Sequence, residues 1–433
     1  MLDFINTVPA VVRILFIFAL ILIAIKRKWM LGNAFIAGST ALGVIFGMGP
    51  VDIARSAAAA LAHPKTLSLS IVVGLILVLS HSLEQSGQMG RLLENFKGLV
   101  RQPRINIVIF PALIGLLPMP GGAIFSAPMV KNIGEGHRLS GSHLSYVNYW
   151  FRHIWEYWWP LYPGILLATT LAEVDLWQLV LFTLPLSVVA VIAGYWPLKD
   201  IALQKTLAAD GAEPRRIGPF LRELQPIGFA IAGGVGLGLL LPYGLPHRAA
   251  ALAKEIGLIL ALMIAIVWVW HANDMPWHRR LAILRQPALF KMLYMVSAIL
   301  IFKGVLEQSG AVLQISREML RWQIPLLTIT IVLPMLVGGI SGITIAFVGA
   351  TFPILVSLIQ AMQQTQLMLP YMMLAMASGF VGVLISPLHL CLLLSNEYFH
   401  TSLLPVYQHM RVPLIAMLTA AAAYFGGLYY WLE

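Results

Sequence analysis

Charge is what this chain has least of. Asp, Glu, Lys and Arg make up 11% of its 433 residues, against about a quarter in an ordinary soluble domain. Hydrophobic residues make up 59%. So little charge cannot cover a water-facing surface, and a soluble globular domain is excluded. Cysteine is nearly absent: Cys391 stands alone. A disulfide framework and a Cys-based metal site are therefore not expected, and the redox compartment is unreadable. Nothing resembles a phosphate loop, which argues against ATP-driven work. The first apolar run follows Met1-Leu2-Asp3-Phe4. That start lacks a basic region and a small-residue cleavage site, so the run reads as a retained helix rather than a signal peptide.

What the chain has is long apolar runs. Ten segments approach or reach the length of about 20 residues that crosses a bilayer. They lie near 8–25, 31–49, 66–82, 141–171, 175–197, 226–243, 251–270, 288–306, 371–395 and 411–431. The expected fold class is an all-α polytopic membrane protein whose first partner is the lipid bilayer. The net charge of +10 is explained by topology rather than by nucleic acid. Threaded in order, the spans put Lys26, Arg27, Lys28, Arg91, Lys97, Arg101, Arg104, Lys131, Arg138, Lys199, Lys205, Arg215, Arg216, Arg222, Arg279, Arg280, Arg285, Lys291 and Arg411 on one side. The positive-inside rule makes that side cytoplasmic and places both termini outside. The membrane expected is the inner, or cytoplasmic, membrane.

The chain also repeats itself. Leu83-Glu84-Gln85-Ser86-Gly87 recurs as Leu306-Glu307-Gln308-Ser309-Gly310, and Pro111 and Gly115 recur as Pro334 and Gly338 at one offset (306 − 83 = 334 − 111 = 338 − 115 = 223). Pro160-Leu161 meets Pro387-Leu388 at an offset of 227 (387 − 160). Four landmarks in the same order point to a transporter built from two related halves. Five spans separate Glu84 from Glu307, an odd number, so the halves are inverted in the membrane. The division expected is 1–197 for the first repeat, 198–223 for a cytoplasmic linker and 224–433 for the second repeat. Amphipathic stretches at 89–96 and 312–319 read as interfacial helices, and Glu84 and Glu307 beside them read as structural.

Each half then carries an apolar segment that is too broken to cross. Residues 105–117 give roughly 20 Å of helix before Pro118-Met119-Pro120-Gly121-Gly122, a strong turn signal. A second run, 123–130, leads back. We read a re-entrant hairpin, with Ser126 as its nearest hydroxyl. Its mate is 325–357, with a tip at Gly338-Gly339-Ile340-Ser341-Gly342-Ile343-Thr344. Non-helical backbone at that depth must be buried in protein or line a cavity. The plainer reading makes these glycines helix-packing positions; the matching place in both halves favours the tips.

The densest chemistry runs from Asn148 to Gly164 and includes Arg152, His153, Glu156 and Tyr162, with Pro160, Pro163 and Gly164 to break the helix. Arg152 and Glu156 are four apart and would share a helix face. The plain reading is an internal salt bridge that orients the broken helix; the functional one makes Arg152 a bidentate carboxylate ligand. The matching break in the second half is Ser386-Pro387, followed by His389. An intramembrane histidine is more often a satisfied core residue, and His389 stands out only because it follows the break where Tyr162 follows its own. Lys303 reads as a snorkelling side chain.

Two inverted five-span halves, each with a hairpin and a broken helix, resemble the ion transporter superfamily of divalent-anion, gluconate, citrate and lactate permeases and some sodium/proton antiporters. The motifs Leu117-Pro118-Met119-Pro120-Gly121-Gly122-Ala123, Asn148 through Pro160, and Leu384-Ile385-Ser386-Pro387-Leu388-His389-Leu390 resemble an uncharacterised branch known only as a domain of unknown function, number 401. The resemblance implies an elevator-type secondary carrier, usually a homodimer, with substrate between the hairpin tips and the broken helices. It implies a small organic anion as partner, no cofactor, and Na+ or H+ as coupling ion. The divalent-anion branch holds sodium and carboxylate with a Ser-Asn-Thr motif at each tip. This chain has none, and any Na+ would lie near Gly121, Gly339, Ser341 and Thr344.

Two other functions stay open. A Na+(K+)/H+ antiporter would exchange protons at Glu156 with His153 and have no organic substrate. An intramembrane serine protease would use Ser341 of Gly339-Ile340-Ser341-Gly342, with His389 as base. The pattern is short for a glycine-rich membrane chain, and the repeat accounts for it without catalysis, so no enzyme is expected.

Overall fold

The computed structural model describes residues 7–96, 99–100, 102–119, 121–135, 139–199, 217–244, 246, 250 and 252–432. Pro120, Met1 to Phe4, most of the linker, and Lys97, Arg101, Arg138, Lys205, Arg215, Arg216 and Arg248 lie outside the described residues. Every regular element among those described is helical, and eight helical segments are long and apolar enough to cross a membrane. This is a polytopic membrane protein.

Proline sets many of the starts. Pro50, Pro64, Pro103, Pro163, Pro185 and Pro287 each open a helix, where a missing N–H costs nothing because that donor has no partner in the helix. Not every expected span is continuous. The 141–171 run is two helices, Gly141–Arg152 and Pro163–Ala172, and the 371–395 run is Met368–Ile385 and Leu390–Tyr398. The 175–197 run stays one helical segment, Leu176–Leu198, with Leu184 in helical conformation just before Pro185. A helix absent from the sequence reading, Pro50–Ala62, is alanine-rich with Asp52 in its first turn; it is a good helix former without the long apolar run that marks a span.

The helices recur as the sequence does. Pro64–Gln85, Gln88–Phe96 and Pro103–Ile114 start 223 residues before Pro287–Gln308, Ala311–Arg321 and Leu326–Ser341 (287 − 64 = 311 − 88 = 326 − 103). Gly141–Arg152, Pro163–Ala172 and Leu176–Thr183 start 227 before Met368–Ile385, Leu390–Tyr398 and Leu403–Leu432 (368 − 141 = 390 − 163 = 403 − 176).

Packing divides the helices into two bundles. In one, Pro287–Gln308 packs on Leu31–Ile45 and Pro50–Ala62, and Ala253–Ala272 packs on Ile217–Leu240 and Pro64–Gln85. In the other, Leu326–Ser341 and Leu403–Leu432 pack on Met368–Ile385, while Leu390–Tyr398 packs on Ala123–Glu135 and Gly141–Arg152. Pro163–Ala172 touches Thr344–Ala361 and also Pro64–Gln85, where the bundles meet. There Lys303 bridges Glu173 and Glu307 at 3.6 Å each, rather than reaching outward alone.

The amphipathic helices clasp across the halves. Ala311–Arg321 packs on Ala10–Lys26, where the Glu318 carboxylate accepts from the Ala10 and Val11 amides at 2.7 and 2.8 Å. Gln88–Phe96 packs on Ile217–Leu240, and Arg91 donates to Glu223 at 3.2 Å.

Candidate functional site

The Gly141–Arg152 helix begins at Ser140, whose Oγ accepts from the His143 amide, and ends with His153 in its C-cap position. Turns then carry the chain to Tyr162: the Glu156 amide donates to the His153 carbonyl and the Trp159 amide to the Trp155 carbonyl. Because the helix stops at Arg152, the i,i+4 argument for Glu156 has no helix to act on. The expected Arg152–Glu156 salt bridge is not among the ion pairs of the described residues. Glu156 instead accepts from Thr344 Oγ1 at 2.6 Å, and its other oxygen lies 3.8 Å from His153 Nε2.

Arg152 is 3% exposed. Its Nη2 donates to the Met119 carbonyl at 2.6 Å, whereas Nε and Nη1 are buried without a partner of good hydrogen-bond geometry, the Cys391 thiol lying alongside the guanidinium. A charged donor set left open inside a protein is expensive unless something completes it. Gly122 makes room for the guanidinium: a Cβ there would fall 2.6 Å from Nη1 and Nη2.

Pro103–Ile114 and Ala123–Glu135 pack on each other as one helical hairpin, and Leu326–Ser341 and Thr344–Ala361 as another. Each turn holds a glycine in the left-handed region, Gly121 at φ +73° and Gly342 at φ +65°. A Cβ on Gly342 would also meet Ser386 Oγ at 2.9 Å.

The two turns and the two helix breaks, with Leu77 and Met292, line a half-open pocket of about 310 Å³. Of the residues singled out from sequence, Pro118, Gly121, Arg152, His153, Glu156, Tyr162, Gly342, Thr344 and His389 line it. Three helices start at its wall with no side-chain cap: Pro163–Ala172, Thr344–Ala361 and Leu390–Tyr398. Their N-termini aim partial positive charge and free N–H groups at it.

The others stand behind the wall. Ser126 donates to Asn148 Oδ1 at 2.6 Å, and Asn148 Nδ2 donates to the Ala123 carbonyl and to Ser395 Oγ. These two side chains fasten the hairpin arm to both broken helices. Gly338 lies against the Gly379 carbonyl and Gly339 near that of Gly382, as helix-packing glycines do. Ser341 Oγ bonds locally with Ile343, at 3.4–3.5 Å, and Ser386 Oγ accepts from the Leu388 amide.

The motif-bearing stretches therefore converge on one site, and the comparison that bears on them is a family match. The profile of a family described as protein of unknown function (DUF401) matches residues 9–427. The chain belongs to the DUF401 family. No curated protein matches it.

Sequence reasoning missed two features of this DUF401 site. The first is the Met119 carbonyl, a backbone group that no side-chain pattern announces. The second is Cys391: donor atoms of His153, His389 and Cys391 lie within 4.8 Å of one another, all buried. No spacing in the sequence announces it, because His153 and Cys391 come together only through the fold.

Proposed function

We propose that this protein is an elevator-type secondary carrier of a small organic anion, related to the ion transporter superfamily and coupled to Na+ or H+. The observation that carries this reading is Arg152: a buried guanidinium with two unpartnered nitrogens on the wall of a cavity, where a carboxylate would complete it bidentately. The three uncapped helix N-termini add to that pull, as they do where transporters hold anionic groups at discontinuous helices.

The recurring helix starts support two inverted repeats, and the packed helix pairs at 103–135 and 326–361 support opposed re-entrant hairpins. The division into two bundles supports a mobile body, carrying the site, that slides against a scaffold. Inner-membrane placement, termini outside and a homodimer belong to the same proposal. Ser341 Oγ is engaged with Ile343 and His389 Nε2 with His153, which speaks against a Ser–His dyad and a protease. Glu156 beside His153 is what favours the antiporter reading.

The test is a thermal-shift screen of purified protein against small mono-, di- and tricarboxylates with and without Na+, followed by counterflow of the best anion in liposomes. Stabilisation by one anion class, lost in Arg152→Lys, is the expected result. Proton flux driven by a cation gradient with no anion present would replace the carrier by the antiporter.

A further inference from the structure

The anion site needs Arg152 and the helix ends; it does not need what sits beside them. His153 Nδ1 lies 2.6 Å from the Tyr149 carbonyl. A carbonyl only accepts, so Nδ1 donates to it, and in the neutral ring Nε2 is then the nitrogen with the lone pair. That Nε2 is 3.1 Å from His389 Nε2. Cys391 completes a set in which each residue offers a donor atom within 4.8 Å of the others, and the three residues are 3%, 7% and 7% exposed. His389 Nδ1 is buried without a partner, so it is Nε2, turned toward His153, that this ring offers to the cluster.

We propose that His153, His389 and Cys391 bind a soft d10 cation, Zn2+ or Cu+. Two imidazoles and a thiolate select these ions over Na+, Mg2+ or Ca2+, which take oxygen ligands. The 3.1 Å between the two ring nitrogens is close to the edge of a tetrahedron with metal–nitrogen bonds of roughly 2.0–2.1 Å, about 3.3 Å. The Tyr149 carbonyl holding His153 by its other nitrogen is the outer-shell contact that metal-bound histidines need. A deprotonated Cys391 and the Glu156 carboxylate, 3.8 Å from His153 Nε2, balance Cu+ beside Arg152 and leave one positive charge with Zn2+, which a bound anion would offset. Three protein ligands leave one coordination position open. All three residues line the cavity, so that position faces the place proposed for the anion. This last step rests on the carrier reading and makes the substrate a metal-ligating anion, such as a carboxylate; the metal site itself does not depend on it.

The test is direct binding to the full chain in detergent after chelator treatment. Co2+ is titrated first, because a thiolate bound to it gives a charge-transfer absorption, and then displaced by Zn2+; Cu+ is titrated separately against a chromophoric Cu+ chelator. One equivalent per chain with a thiolate band is expected for Co2+, and the ion that competes best names the occupant. Cys391→Ser should abolish the band, and His389→Gln should weaken binding by more than the roughly 10–100-fold that loss of an outer-shell partner costs. Absence of stoichiometric binding by the native chain, or binding unchanged in Cys391→Ser, overturns the proposal whether or not the variants are fully stable. Anion binding is read separately by thermal shift, so metal binding without an anion response would overturn the carrier reading alone.

Discussion

Replacing Arg152 by lysine keeps a positive charge in the cavity wall and removes the fork. In the native chain one arm, Nη2, is committed to the Met119 carbonyl at 2.6 Å, while Nε and Nη1 remain open. A hydrogen bond to a charged group contributes about 1.5–3 kcal/mol. A lysine ammonium that stays at the Met119 carbonyl offers the anion a point charge, and at least one of the two parallel N–H···O bonds is lost. At about 1.4 kcal/mol per decade, that one bond corresponds to roughly a 10- to 150-fold weaker affinity. Stability should fall little, because the carbonyl keeps a donor and no carboxylate partner is stranded. The assay is titration calorimetry of the best anion against native and Arg152→Lys protein, with thermal unfolding alongside. An unchanged affinity would refute the reasoning. So would a large loss of unfolding temperature restored by also removing Glu156, since that would mean the two charges pair after all.

Glu156→Gln should leave the unfolding temperature nearly unchanged, because an amide oxygen still accepts from Thr344 Oγ1; a clearly lowered midpoint of thermal unfolding would count against that contact. Gly342→Ala should destabilise by about 1–3 kcal/mol, since it forces a side chain into the left-handed region and a Cβ into contact with Ser386 Oγ at 2.9 Å; a lowered midpoint of thermal unfolding checks it. Glu318→Ala should cost about 0.5–2 kcal/mol of local stability, the usual worth of a helix cap, seen as faster amide exchange at Ala10 and Val11 with the rest of the chain unaffected.

Most of the architecture was legible because lipid imposes it. Helices must satisfy their own backbone, so apolar runs marked where most of them lie. The turns at Gly121 and Gly342 were legible because only glycine readily takes those backbone angles. The first break was harder. Pro160, Pro163 and Gly164 signal it, yet the helix already ends at Arg152, and nothing between Arg152 and Trp159 is a helix breaker. The Arg152–Glu156 pairing failed for that reason, and Thr344 became the partner of Glu156 across 188 positions of sequence. Ser126 and Asn148 carried the right chemistry in the wrong place. A hydroxyl and an amide near a break serve as well to join three segments as to hold a ligand, and only their neighbours decide between the two.

The cross-clasped amphipathic helices make the two halves hostages of each other. Gln88–Phe96 grips the opening helix of the second half, and Ala311–Arg321 grips that of the first. Each opening helix also packs within its own half, Ile217–Leu240 on Ala253–Ala272 and Ala10–Lys26 on Leu31–Ile45, and the clasp adds a link between the halves. Two separately translated polypeptides, divided anywhere between residues 199 and 217, should therefore find one another in the membrane and rebuild a whole molecule, while either fragment expressed alone should be degraded.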